Sequence, residues 1–352
     1  MRYDDNVMGD NMSKVFILGA GFSKAVSNRM PTLWELSQSA IKWYEFPFQS
    51  PSYLGLSNDV EQLLTYLYQD MPWKTPEESY LDKAAFLMVS RQISTYISEC
   101  EEQAFNEERP AWLQNFVLHL HQTESTVATL NYDTVLERAT GEHPELNHIF
   151  TSNLYRMPIA PLGQRTAAVF AGETRPTYRL LKLHGSVNWY FSGDENVEGQ
   201  QVYEDWLPEF IGRGQKEEES QKNIQSHLEY EGLNKMDLRP LIIPPVADKS
   251  AFYKTRTVRL TWSEFRKSLK ESSELYCIGY SLPKTDLTMR LFLRAAVEGN
   301  PKRVYIVNSA TGDSARELKR SYQEVFAGCS IDEQYFGRQD AVKHMTDNLS
   351  QA

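Results

Sequence analysis

The chain has 352 residues, 41% of them apolar and 24% charged, with a formal net charge of -10, which gives ample material for one or two α/β domains. The negative balance argues against broad, sequence-independent nucleic-acid binding as the main activity and leaves room only for a local basic patch. No apolar run approaches the roughly 18 residues of a membrane-spanning helix, and Cys100, Cys277 and Cys329 form no CxxC pair, which removes a zinc ribbon and argues against a disulfide framework.

Residues 1–13, MRYDDNVMGDNMS, are acidic and polar and lack the apolar core of a signal peptide. They read as a flexible leader on a cytoplasmic protein, with Met12 an equally good start. Residues 14–25, KVFILGAGFSKA, then predict a buried strand, a glycine break and a helix. Such a turn can cradle a phosphate on helix N-terminal amides, or it can be only a tight turn; alone, the two readings are balanced. Lys24 stands where the dinucleotide fingerprint wants its third glycine, and the stretch PTLWELSQSAIKWYEF looks helical where an acidic strand end is wanted. An ordinary dehydrogenase is therefore disfavoured, and no GK[ST] follows to make a Walker loop.

Residues 34–123 carry almost no strand pattern and read as a helical insertion. Segments 59–69 and 79–104 are periodic at helical spacing, with Leu81, Ala84, Ala85, Met88, Ile93, Tyr96 and Ile97 able to share a face. Trp112, Phe116, Val117 and Leu120 predict a further helix after Pro110. Trp34, Trp43, Tyr44, Phe46 and Phe48 are expected as packing contacts rather than ligand platforms.

From residue 125 the pattern alternates. Strands are predicted over 125–130, 178–183, 241–243, 274–279 and 303–307. Helices are predicted over 134–139, 254–270, 285–298 and 313–326. This rhythm predicts a Rossmann-like parallel sheet with helices on both faces. The core is expected to comprise 14–33 and 124–330, with an acidic, Gln- and Gly-rich excursion at 192–237 and a C-terminal tail or helix at 331–352.

Ligands of open parallel sheets bind beyond the carboxyl ends of the strands. Polar residues collect at those ends: Ser23, Asn131 and Asp133, His184 and Ser186, Tyr280 and Ser281, Asn308 and Ser309. Each also has a plainer reading. Asn131 or Asp133 could cap a helix, His184 could be a satisfied core histidine, and Gly279-Tyr280-Ser281 could be a strand-to-helix turn. Their joint occurrence favours a site.

The motifs GAGFS (19–23), TLNYD (129–133), KLHGS (182–186), GYSLPKTD (279–286) and Val307-Asn308 occur in the order of the sirtuin (SIR2) superfamily. The chain most resembles its bacterial SIR2-like branch, many members of which are NAD-cleaving proteins of anti-phage defence. The resemblance spans about residues 14–326. It implies that Gly19, Ala20, Gly21 and Ser23 hold the pyrophosphate of NAD, with Phe22 on the nicotinamide side. It implies that Asn131 positions the attacking water or the nicotinamide ribose, and that Asp133 binds the carboxamide. His184 would hydrogen-bond the ribose hydroxyls and act as general base, with an unperturbed pKa near ~6.5. Gly279, Tyr280 and Ser281 would meet the phosphate or adenosine half, and Asn308 the adenine ribose.

The chain departs from the deacylases of the superfamily in lacking the four cysteines of their zinc ribbon, so no metal is expected. Arg29–Trp34 replaces their GIPDFR-like segment, two residues further from the glycines, which puts the acyl-lysine tunnel in doubt. The function implied is an NAD+ glycohydrolase using NAD as substrate. A zinc-free NAD-dependent deacylase and a non-catalytic NAD or ADP-ribose module are the alternatives. By analogy with the branch, control is expected from a homo-oligomer or a partner such as a HerA-like ATPase/DNA translocase or an Argonaute-like protein. The insertion and the acidic excursion are the candidate surfaces.

Overall fold

A computed structural model describes residues 14–39, 59–162, 175–192, 201–205, 207–210 and 238–351. The expected leader, the aromatic positions 43–48 and most of the acidic excursion lie outside the described residues.

The first strand, β1 (Lys14–Leu18), runs into α1 (Ala20–Val26). The insertion supplies α2 (Val60–Tyr68), α3 (Pro76–Phe105) and α4 (Ala111–Gln122). Thr75 and Glu78 form a reciprocal capping box at the start of α3, satisfying two otherwise orphaned amides. Its inward stripe is Ala85, Phe86, Val89, Ile93 and Ile97, whereas Leu81 is 57% exposed. The expected stripe is rotated because Asp82 is buried there, neutralised by Lys74 at 2.7 Å.

After α4 come β2 (Thr126–Thr129), α5 (Val135–Glu142), α6 (Thr151–Tyr155), β3 (Ile159–Pro161), β4 (Arg179–Lys182), β5 (Gly185–Phe191), β6 (Val202–Glu204) and β7 (Arg239–Ile242). The chain closes with α7 (Arg256–Glu271), β8 (Glu274–Ile278), α8 (Leu287–Val297), β9 (Arg303–Val307), α9 (Gly312–Val325), β10 (Ser330–Asp332) and α10 (Ala341–Leu349).

Six strands form a parallel sheet in the order β10-β9-β8-β1-β2-β4. Both faces are covered, as the α/β alternation predicts. The side-chain period of two sends Phe16, Leu18, Val127 and Ile278 to one apolar cluster with α1 and the insertion helices. It sends Val15, Ile17, Ala128 and Cys277 to another with α7, α8 and α9. From β1 the chain moves out through β2 on one side and returns to β8 on the other, which makes the β1–β8 junction a topological switch point.

A second sheet, in the order β3-β6-β5-β7, is not anticipated by the sequence reading. The strand expected at 241–243 belongs to it as β7, antiparallel to β5, rather than to the parallel sheet. β6 carries part of the acidic excursion into the same sheet. The two sheets meet where β4 ends at Lys182 and β5 begins at Gly185. Gly185 has φ +79, and a Cβ there would lie 1.9 Å from the Leu241 carbonyl oxygen, so only glycine makes this corner.

Candidate active site

The loops after β1, β2, β4 and β8 surround a cavity of about 450 Å³ whose lining includes Gly19–Gly21, Asn131–Asp133, His184 and Gly279–Ser281. This volume lies within the ~300–1,000 Å³ of small-molecule sites. A shallower recess of about 350 Å³ adjoins it, sharing Glu61 and Thr285.

The glycine wall is built by close approach of main chains. Gly21 N donates to Gly279 O at 3.0 Å, and Gly19 N donates to Ile278 O at 2.9 Å. A Cβ on Gly279, at φ +61, would meet Phe22 N at 2.2 Å, and one on Gly21 would meet Gly279 Cα at 2.8 Å. These glycines let the β1 and β8 loops touch. The amides of Gly21 and Phe22, expected to face an anion, are already donated to Gly279 O and Gly19 O.

On the adjoining wall, Asn131 Nδ2 donates to Gly19 O at 3.0 Å and to Ser23 Oγ at 2.9 Å. Ser23 Oγ in turn donates to Asp133 Oδ2 at 2.6 Å. A carbonyl can only accept, so the contact with Gly19 O fixes which end of the amide is nitrogen. Asn131 therefore offers a ligand its Oδ1, an acceptor. The Asp133 carboxylate also accepts the Val135 amide at 3.3 Å, so it serves the N-terminus of α5 as well as lining the cavity.

This loop stands on buried charge. Lys182 Nζ donates to the Asp133 carbonyl and lies 3.3 Å from Glu137, both side chains being 1% exposed. Glu137 also accepts from Tyr155 OH at 2.8 Å. Glu101 accepts from the amide and hydroxyl of Thr134. Burial, with the charge of Asp133, pushes the Glu101 carboxyl up to about 7. Tyr132 ties the loop to the second sheet, its hydroxyl donating to Ile243 O at 2.6 Å.

His184 is 7% exposed and hydrogen-bonds the Leu130 main chain. The Leu130 amide is already donated to Leu18 O, so the Leu130 carbonyl must be the partner and the proton sits on the bonded ring nitrogen. The other nitrogen, Nε2, is buried with no hydrogen-bond partner. Burial, with the Lys249 charge, lowers the His184 pKa to about 4. The imidazole is thus neutral at physiological pH and a weaker base than the unperturbed group expected from sequence. The lone pair on Nε2 is unpaired and closed to solvent.

Three expected ligand contacts lie elsewhere. Phe22 is 1% exposed and packs on Trp112 and Phe116 in the core, because the tight β1–α1 turn points it inward. Ser23 is buried and acts through Asn131 and Asp133. Asn308 follows β9, outside the cavity lining, and its Oδ1 accepts from Ala310 N at 2.9 Å, closing a local turn. Glu61, Lys249 and Asp286 also line the cavity, and no strand end in the sequence points to them. Asp286 lies within the GYSLPKTD motif, and its carboxylate accepts from Tyr280 OH at 2.8 Å.

No protein-family model and no curated protein matches this sequence. Among solved structures, the chain is similar to one described for the mechanism and regulation of Sir2 enzymes, at 12% identity and a TM-score of 0.40, covering 97% of this chain and 93% of that one. It is also similar to a Sir2 homologue in complex with NAD, at 12% identity and a TM-score of 0.44, over 96% of this chain and 88% of that one. A mutant Sir2 homologue in complex with ADP-ribose gives 12% identity and a TM-score of 0.42, over 96% and 90%. Among the described residues no group of three or more His, Cys, Asp or Glu side chains could hold a metal ion, and no helix is long and apolar enough to cross a membrane.

Proposed function

We propose that the protein is an NAD+ glycohydrolase, releasing nicotinamide and ADP-ribose. The observation that carries this reading is that Asn131 and His184, each with an acceptor the protein leaves unclaimed (Oδ1 and the buried Nε2), line one cavity beside the Asp133 carboxylate. Such a set suits ribose hydroxyls, a water molecule and a cationic centre. The adjoining recess gives a long ligand room.

The chemistry asks little of an acid. Nicotinamide leaves as a neutral base when the C1′–N1 electron pair moves onto its cationic ring. What remains is to hold the ribose while positive charge develops at C1′, and to aim a water at it. Asn131 Oδ1 accepts a hydrogen bond from that water and turns its lone pair toward C1′. His184 Nε2 accepts from a ribose hydroxyl. The water oxygen bonds to C1′ as the C1′–N1 bond breaks, and its proton leaves to solvent or, relayed through the ribose hydroxyl, to His184.

The test is incubation of purified protein with NAD+ and chromatography of nicotinamide. Asn131→Ala and His184→Ala are each expected to lower release by about a hundredfold or more. Unchanged release in both variants would refute the assignment. Release that required an acylated peptide would replace it with the deacylase reading, and NAD+ binding without turnover would replace it with a binding module.

On the resemblance noted from the motifs, we further propose that the enzyme depletes NAD in anti-phage defence and is held silent until it self-assembles or meets a partner. Light scattering with parallel activity assays tests this. A monomer active alone would end it.

A further inference from the structure

Among the described residues lining the cavity, the fixed charges are the carboxylates Glu61, Asp133 and Asp286 and the single lysine Lys249. His184 is neutral. An anionic ligand entering this space meets mostly like charge, and the Gly21 and Phe22 amides are already bonded within the protein.

Lys249 is 7% exposed, and a buried ammonium is costly without a partner. Its ion pair is with Asp286, at 3.5 Å. That separation exceeds the 2.6–2.7 Å of Lys24–Glu35 and Lys74–Asp82. Asp286 is also engaged otherwise, accepting from Tyr280 OH and from Met289 N at the start of α8. The lysine is thus buried, on the cavity wall and only loosely held.

We propose that Lys249 is the anion-binding residue of this cavity and receives the diphosphate of a nucleotide ligand. This rests on the proposed NAD+ reading for the identity of the nucleotide, but not for the anion preference itself. On binding, Nζ swings from Asp286 to a phosphate oxygen, and Asp286 keeps Tyr280 and the helix N-terminus. Neutralising Lys249 also lifts its depressing effect on His184, so the imidazole becomes a better acceptor once the substrate is seated.

The experiment is calorimetric titration of the full chain with ADP-ribose, inorganic pyrophosphate and adenosine, on wild type, Lys249→Gln and Lys249→Arg, with thermal unfolding to check the fold. Loss of one charge-assisted contact to phosphate is expected to weaken ADP-ribose and pyrophosphate about tenfold or more in Lys249→Gln. Adenosine should be unaffected, and Lys249→Arg should retain most of the affinity. Asp286→Asn, which keeps the helix cap and frees the lysine, is expected to bind pyrophosphate at least as tightly as wild type. Equal affinity of Lys249→Gln and wild type for both phosphate ligands, or an equal loss for adenosine, would overturn the inference while leaving the NAD+ reading intact. Lys249-dependent binding of pyrophosphate without any binding of ADP-ribose or NAD+ would keep the inference and remove the NAD+ reading. If Lys249→Gln fails to fold, the Arg and Asp286→Asn variants decide: a tenfold loss in either overturns it.

Discussion

On one side of the cavity, Gly19, Gly21 and Gly279 meet main chain to main chain. Beside them, and joined to Gly19 by the Asn131 amide, residues 131–133 rest on Lys182, Glu137 and Glu101, all buried. The glycine wall is limited by volume and carries no charge of its own. The polar wall is limited by protonation and pairing. A side chain added to the first costs the same steric overlap at any pH, whereas the second answers to pH and to the loss of a partner. The difference also explains why the two walls present different chemistry: one offers shape, and the other offers acceptors held in fixed directions.

The strongest test of the polar wall is Lys182→Met. It leaves Glu137 a buried carboxylate without its cation and the Asp133 carbonyl without its donor, so a loss of about 3–5 kcal/mol is expected in urea unfolding. Adding Glu137→Gln, which still accepts from Tyr155, should recover much of it. A single-variant loss under about 1 kcal/mol would erase the contrast between the walls.

Next comes the pH dependence. Glu101, pushed up to about 7, contributes stability that is present in full below its unfolded pKa near 4.5 and is lost as pH rises through 7. Glu204, raised to about 8 by burial, acts in the same sense at higher pH. Stability is therefore expected to fall between pH 5 and 8, and Glu101→Gln to flatten the part of that fall below pH 7. An unchanged slope in Glu101→Gln would show that the carboxyl is not the group responsible.

For the glycine wall, Gly279→Ala is expected to cost about 2–3 kcal/mol through steric overlap and a left-handed backbone. Gly312→Ala has a similar φ of +63 but nothing within 4 Å of its Cβ, so about 1 kcal/mol is expected. The difference isolates the contact between the β1 and β8 loops, and it should be the same at pH 5 and pH 8. A pH-dependent cost would tie the two walls together.

The smallest effect is a displacement of the pH–activity curve. His184, lowered to about 4, accepts a hydrogen bond only while neutral, so nicotinamide release should persist on acidification until pH approaches 4. Removing the Lys249 cation raises the imidazole pKa and moves that acid limb to higher pH. An acid limb near 6.5 in the wild type would show that the imidazole is not desolvated in solution.

The parallel sheet was legible because β1, β2, β4, β8 and β9 are apolar runs stopped by polar residues or glycine and separated by helical periodicity. The second sheet was not. β3 and β6 are three residues each, too short for a period to show, and β5 follows β4 after only Leu183 and His184, where His184-Gly185 reads as a strand end. At the site, the strand-end logic brings Asn131, Asp133, His184 and Tyr280 around one cavity. It misplaces Phe22 and Asn308 because a strand end fixes where a residue lies, not where its side chain turns. Lys249 sits in PPVADKS, a stretch with neither periodicity nor motif. Only the packing of that loop against α8 gives it a partner.

The corner at Gly185 has a mechanical consequence. His184 is the last residue of the parallel sheet's course and the first step into the other sheet, and its carbonyl is gripped by Ile243 N at 2.8 Å. The Asn131 side chain is held from the parallel sheet's side, by Gly19 O and Ser23 Oγ, although the neighbouring Tyr132 reaches the second sheet. The gap between the two acceptors is therefore a gauge of how the sheets are inclined to each other. A load applied to the edge strand β3, well away from the cavity, would be felt there as a change in the spacing of Asn131 and His184.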